Sequence, residues 1–174
     1  MNILFVSLGC DKNLVDTEVM LGLLAQNGHQ MVDSEELADV IVVNTCCFIH
    51  DAKEESIQTI LEMAEYKKNG RLKALIVTGC LAQRYKQEIL DEIEEVDAVL
   101  GTTSYDKIVE VIEEALKGNK SLELQDIDAL PFVDTKRLVT TGGHYAYLKI
   151  AEGCDKHCTY CIIPYARGPL RSRS

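Results

Sequence analysis

Residues 2–13 read NILFVSLGCDKN, and the turn inside this stretch decides the fold. An apolar run, Ile3-Leu4-Phe5-Val6, passes through Gly9 into a segment with helical spacing. Strand, glycine turn and helix in that order are the opening unit of a parallel α/β sheet, with the turn at the carboxyl edge where such sheets bind ligands. In a nucleotide-type turn a small polar residue would follow the glycine. Here it is Cys10, a soft and oxidisable thiol.

The unit repeats. Leu14, Val15, Val19, Leu21 and Leu24 carry a helical period over residues 13–27, and Gly28 follows as a C-cap. Asn13 and Asp16 have the chemistry of helix caps. Further strands are expected at 29–32, 40–44, 73–78 and 97–101, with a helical turn at 34–37. Helices are expected at 51–69, closed by Gly70, at 83–95, and at 105–117, closed by Gly118. Five strands separated by helices imply a five-stranded parallel flavodoxin-like sheet of order 2-1-3-4-5. Residues 1–118 therefore read as one α/β domain and 119–143, polar and Pro-containing, as a linker. Residues 144–174 read as the start of a second domain, with a strand at 144–150 leading into a cysteine-rich loop.

The bulk composition narrows the function. With 47% hydrophobic and 26% charged residues the 174-residue chain is an ordinary globular protein. A net charge of -10 speaks against direct nucleic-acid binding by this piece and suits a basic protein partner. No apolar run approaches the ~20 residues of a membrane span, and the chain enters a strand with no signal-peptide pattern. A cytoplasmic setting follows as the expectation. Disulfides are disfavoured there, so the seven cysteines are core filler, metal ligands or redox groups.

Four of them sit at strand ends: Cys10 after the first strand, Cys46 and Cys47 after the third, Cys80 after the fourth. In the assumed order these strands are neighbours, about 4.8 Å apart, so their thiols converge over one small group. A single strand-end cysteine is most often a small buried hydrophobe. Three at equivalent places, two of them in Gly-Cys turns (Gly9-Cys10 and Gly79-Cys80), favour ligation. Structural zinc takes four protein ligands, whereas three thiolates suit an iron–sulfur cluster with one open iron. Adjacent residues of an extended segment point opposite ways, so one of Cys46 and Cys47 ligates. Spacing does not choose between them.

The second set is compact: GCDKHCTYC places Cys154, Cys158 and Cys161 in a C-x3-C-x2-C pattern. Three thiolates in eight residues can wrap one iron–sulfur cube. A zinc knuckle using His157 is the bland alternative, but His157 is adjacent to Cys158 and the two would struggle to bind one ion. Tyr160 would cover one side of the cluster. Arg84, just past Cys80, reads equally as helix surface or as a neighbour of the site. His29, His50 and His144 read as structural, and the basic stretch 167–174 as the start of a further element.

GCDKHCTYC resembles the cluster loop of radical S-adenosylmethionine (SAM) enzymes. SLGCDKN, NTCCFI and GCLAQRY resemble the N-terminal domain of the methylthiotransferases within that superfamily. The first turn, with Asp11-Lys12-Asn13 after the cysteine, and HYAYLKIAEGC are similar to the branch that methylthiolates the β-carbon of an aspartate in small-subunit ribosomal protein S-twelve, rather than the tRNA-modifying branch. The resemblance implies an auxiliary [4Fe-4S] cluster on Cys10, Cys46 and Cys80, and a radical SAM [4Fe-4S] cluster on Cys154, Cys158 and Cys161. It favours Cys46 over Cys47, through the motif Asn44-Thr45-Cys46. It further implies SAM as co-substrate, a basic ribosomal-protein substrate, an electron-donor protein, and a radical SAM barrel of which 144–174 would be the start. On this reading the chain is an N-terminal fragment, able to hold the auxiliary cluster and unable to turn over alone.

Overall fold

The computed structural model describes residues 1–69, 71–129 and 136–172. Gly70, part of the expected linker and the last two residues of the basic tail lie outside them. The chain begins with β1 (Asn2–Ser7), α1 (Asp11–Gln26), β2 (Gln30–Met31), β3 (Val40–Thr45), α2 (His50–Asn69) and β4 (Ala74–Gly79). There follow α3 (Cys80–Tyr85), α4 (Gln87–Glu92), β5 (Ala98–Leu100), α5 (Ile108–Leu116) and β6 (Ser121–Glu123). Short 3₁₀ turns occupy Glu35–Leu37 and Tyr105–Lys107.

Among the described residues the sheet has six parallel strands in the order β2-β1-β3-β4-β5-β6. The expected order holds for five, and the sixth is a correction. β6 lies inside the stretch read as linker and pairs with β5, Ala98 opposite Ser121 and Leu100 opposite Glu123. It is a short, half-buried edge strand with one apolar residue, Leu122, too little pattern for a hydrophobicity reading to detect.

Every residue of β3 and β4 is buried, as in strands covered on both faces. The two faces alternate along the chain. Ile41, Val43, Leu75, Val77 and Val99 pack with Ile60, Met63 and Ala64 of α2, Leu81 of α3, and Ile89 and Leu90 of α4. Val40, Val42, Ala74, Ile76 and Ala98 pack with Met20 and Leu24 of α1 and with Ile108, Val111 and Ile112 of α5. Each such aliphatic side chain taken from water contributes about 1.5–3 kcal/mol before the entropy of ordering it.

Two other expectations are corrected. The single helix at 83–95 is two helices, broken at Lys86, whose φ is +48°. The break lets Leu81 with Ala82, and Ile89 with Leu90, reach the same core. The strand at 144–150 is irregular. Thr141 Oγ1 donates to the Tyr145 carbonyl at 2.6 Å and Arg137 Nη1 to the Tyr147 carbonyl at 2.6 Å, so side chains hold backbone acceptors that a neighbouring strand would take. No barrel start is visible among the described residues. Residues 144–172 instead form α6 (Ile163–Arg167) and an antiparallel pair, β7 (Ala151–Glu152) with β8 (Arg171–Ser172). No described helix is long and apolar enough to cross a membrane.

Asp39 fixes the amino end of the sheet. Its carboxylate accepts from the Asn2 backbone N–H at 2.9 Å and meets Arg71 at 3.0 Å and Lys73 at 3.2 Å. The Asn2 hydrogen bond, then the two cations, outweigh burial and hold its pKa at about 2, below the ordinary 3.8. A lowered carboxylate pKa stabilises the fold fully above about pH 4, and that stability disappears as pH falls through about 2. Asp39→Asn should cost about 1–2 kcal/mol at neutral pH, the half-exposed cations being partly screened. In urea unfolding the gap to the parent should close toward about pH 2; a gap that persists there would contradict the assignment.

Candidate functional site

The carboxyl ends of β1, β3 and β4 meet at one edge. Cys10, in extended conformation (φ -99°, ψ 174°), immediately precedes α1, and Cys80 opens α3. Two glycines make the approach possible. Gly9 has φ +89°, and a Cβ there would stand 2.9 Å from Cys46 Cβ and 3.1 Å from its sulfur. Gly79 has φ +94°, and a Cβ there would stand 2.4 Å from the Thr45 carbonyl oxygen and 2.3 Å from Asn44 Oδ1. Both backbones thus press against the end of β3.

Cys46 and Cys47 part company. Cys46 lies against the Gly9 turn, its backbone N–H donating to Ser56 Oγ of α2 at 2.9 Å. Cys47 belongs to the core cluster with Ile60 and Leu81. Burial above all pushes the Cys47 thiol up to about 11, helped by Cys80 and Cys46 and opposed by Arg84. Burial also raises the Cys80 thiol, Arg167 pulls it back, and Cys46 and Cys10 push it up again. Cys10 and Cys46 therefore both lie within electrostatic reach of Cys80.

Asn13 and Asp16 are not caps; α1 has no side-chain cap bond. Both are buried and serve the edge. Asn13 Nδ2 donates to the Leu8 carbonyl at 2.8 Å and to the Thr45 carbonyl at 2.9 Å, tying the loop after β1 to β3. The Asn44 amide returns the bond to the Asn13 carbonyl at 2.9 Å.

The second cysteine loop is docked on the same edge. Cys154 N–H donates to the Gly168 carbonyl at 3.1 Å, and Cys161 N–H to the Cys158 carbonyl at 3.0 Å. Lys12 of α1 donates to the Ala151 carbonyl at 3.0 Å and Glu152 at 3.2 Å. Arg167 is the buried centre: its Nη1 donates to Asp16 at 2.6 Å and Glu152 at 3.1 Å, its Nη2 to Asn13 Oδ1, and its Nε to Cys80 Sγ at 3.3 Å. Lys149 pairs with Asp16 and, at 2.9 Å, with Glu152. Burial alone would raise the Glu152 pKa, but Arg167 and Lys149 hold it down at about 2.

Tyr160 is 90% exposed and His157 is exposed in a left-handed conformation (φ +48°). Arg84 stacks over the Tyr85 ring at 5.3 Å and pulls the Cys47 thiol down against burial. His50 pairs with Glu54 at the surface. Among the described residues neither cysteine trio has all its sulfurs within 4.8 Å of one another. A single tetrahedral zinc with Zn–S near 2.3 Å needs sulfurs about 3.8 Å apart, so neither trio is drawn together as one such ion would require.

The fold and edge together define a doubly wound α/β domain that presents three strand-end thiols beside a second, docked cysteine loop. The chain belongs to the family described as Uncharacterized protein family UPF0004, whose profile matches residues 2–101. It is similar to three relatives, each named Ribosomal protein uS12 methylthiotransferase RimO. That of Lachnoclostridium phytofermentans is 69% identical over 99% of this chain and 39% of the relative. That of Acetivibrio thermocellus is 56% identical over 97% and 38%, and that of Clostridioides difficile 53% over 96% and 38%. The chain thus spans under two-fifths of the length of these relatives.

Gly79→Ala should test the close approach. The methyl group meets backbone at both Thr45 atoms within 2.8 Å and the positive φ adds strain. A loss of more than about 2 kcal/mol in denaturant unfolding is expected; near-neutral stability would show that the β3–β4 edge is looser than described. Ser56→Ala leaves the buried Cys46 N–H without its partner and should cost about 1–2 kcal/mol by the same measurement.

Proposed function

We propose that this chain is the cluster-bearing N-terminal portion of a methylthiotransferase acting on an aspartate of ribosomal protein uS12, with SAM as co-substrate. The observation that carries the reading is the convergence of Cys10, Cys46 and Cys80 at one sheet edge, with the loop of Cys154, Cys158 and Cys161 docked beside it. The donor sets suit iron–sulfur clusters: soft sulfurs, three in each set. Cys10 and Cys46 with Cys80 would hold the auxiliary [4Fe-4S] cluster, and the second trio the radical SAM [4Fe-4S] cluster. Such groups supply one-electron and sulfur chemistry that side chains lack.

The chain's own residues then have defined work. The N-terminus of the 16-residue α1 and the Arg167 guanidinium face an anionic group with positive charge. Asn13 fixes the loop carrying Cys10 relative to Cys46. Cys47, with its thiol raised to about 11, stays protonated and packs. The net charge of -10 suits a basic ribosomal-protein substrate, a small electron-donor protein and a cytoplasmic setting complete the reading, and the names of the relatives favour uS12 over tRNA as substrate.

Anaerobic reconstitution with iron and sulfide tests this. Two four-iron clusters, about eight irons per chain, are expected, and Cys10→Ala should remove one and spare the other. Bound zinc in place of a chromophore would overturn the assignment, as would loss of both clusters in Cys10→Ala. Assay of the full-length enzyme on ribosomes and on tRNA, with methylthio-aspartate expected in uS12, separates the two substrate classes.

A further inference from the structure

We propose that Arg167 is a positioning residue for the first cysteine set, setting the placement of Cys80 and the reduction potential of the cluster held there, from a segment that belongs to the second set. The inference rests on the reading that Cys10, Cys46 and Cys80 hold an iron–sulfur cluster, and it goes beyond that reading by giving a residue outside the cysteines control of it.

The geometry is specific. Arg167 is 3% exposed, and its single Nε–H is directed at Cys80 Sγ, 3.3 Å away. The other end of the guanidinium is held by Asp16, Glu152 and Asn13. Because the fork is planar and rigid, those three partners fix the direction of the Nε–H. The donor is thus aimed before any ligand arrives. Asn13 Oδ1 also lies 3.8 Å from Cys80 Sγ, so the sulfur, the guanidinium and the amide form one packed group.

The link to the second set is through the backbone. Gly168, the next residue, accepts the hydrogen bond from Cys154 N–H at 3.1 Å, and Glu152 stands two positions before Cys154. One element therefore carries the docking of the second loop at one residue and the hydrogen bond to the first set's sulfur at the previous one.

A hydrogen bond to a ligating sulfur stabilises the more negative, reduced state of a cluster and raises its potential. Burial strengthens the effect by keeping water from screening it. Arg84, an arginine beside Cys47, serves as the control.

The test uses the full-length protein, reconstituted anaerobically with iron and sulfide. Substitution of Cys154, Cys158 and Cys161 by Ala isolates the first cluster. In that background Arg167→Lys, which keeps a charge but loses the aimed Nε–H, should shift the midpoint potential of the remaining cluster to more negative values. In the protein with all six cysteines the second cluster should keep its potential, and Arg84→Lys should move neither. An unchanged first-cluster potential in Arg167→Lys overturns the proposal, as does an equal shift of both clusters. Loss of the first cluster alone supports the positioning role. A second measurement needs no substitution at Arg167: protein grown on isotopically labelled arginine should show a nitrogen hyperfine coupling to the reduced first cluster by pulsed electron paramagnetic resonance. That coupling should persist in Arg84→Lys, and its absence overturns the proposal even if Arg167→Lys fails to fold. Failure of the parent protein to assemble a cluster on Cys10, Cys46 and Cys80 is a different result, and rejects the underlying reading instead.

Discussion

A buried guanidinium is costly unless its charge and its donors are matched, and Arg167 has both matched by four residues from three separate segments. Asn13 and Asp16 come from α1, Cys80 from the start of α3, Glu152 from β7. Removing water from such a group costs several kcal/mol, recovered only when the geometry is good and the remaining donors are satisfied. The arrangement is therefore conditional: each partner is well placed only if the others are. Lys149, buried beside the Tyr105 ring at 5.2 Å, and Lys12 complete the balance against Asp16 and Glu152. This cluster makes 144–172 part of the α/β domain's edge rather than an appendage. Glu18 repeats the principle further along α1. It is fully buried, and accepts from Arg137 at 2.7 Å and from the Thr140 N–H at 2.6 Å, so the returning chain is fastened to the same helix twice.

The edge itself is a product of parallel pairing. In a parallel sheet all strands end on the same side, so residues that follow β1, β3 and β4 must emerge together. The register pairs Ser7 with Asn44 and Asn44 with Thr78, which sets the three turns at one level. Side-chain amides then hold the turns: Asn13 donates across the first and third strand ends, and Asn44 donates to the Asn13 carbonyl and to Thr17 Oγ1 at 2.9 Å. These bonds lie where solvent is excluded, so they direct the loops as well as satisfying polar groups.

Much of this was legible in the sequence, and what was not has physical reasons. The runs VIVVNT and ALIVTG can hardly be anything but buried parallel strands, and once their order is assumed Cys10, Cys80 and one of Cys46 and Cys47 fall together, the resemblance favouring Cys46. β6 was hidden because an edge strand of three residues is fixed by backbone bonds, such as Gly101 N–H to the Glu123 carbonyl at 2.9 Å, that leave no hydrophobic pattern. The break at Lys86 was hidden because one left-handed residue does not disturb the spacing on either side. The alternating residues 144–150 looked like a strand because alternation reports only side-chain sides, not whether a partner backbone is present. Asn13 and Asp16 read as local caps because short-range chemistry is visible in sequence. Their actual partners, Thr45 and Arg167, lie 32 and 151 positions away. Arg167 itself lies in the basic stretch that reads as the start of a further element, and nothing local distinguishes a buried cation from an exposed one.

The pair Cys46-Cys47 shows how sharply the fold can discriminate between identical groups. They are neighbours in sequence and equally buried to within a few per cent, so neither composition nor exposure separates them. Direction does. One lies against the Gly9 turn and the other enters the α2–α3 core, as the alternation of successive side chains requires. The register that sends Ile41 and Val43 to the α2 face and Val40 and Val42 to the α1 face also fixes which cysteine reaches the edge. A slip of one residue would invert the whole strand, exchanging the two thiols only at the cost of turning every aliphatic contact of β3 to the wrong side. The identity of the edge cysteine is thus protected by the packing of the entire central strand, not by anything at the cysteine itself.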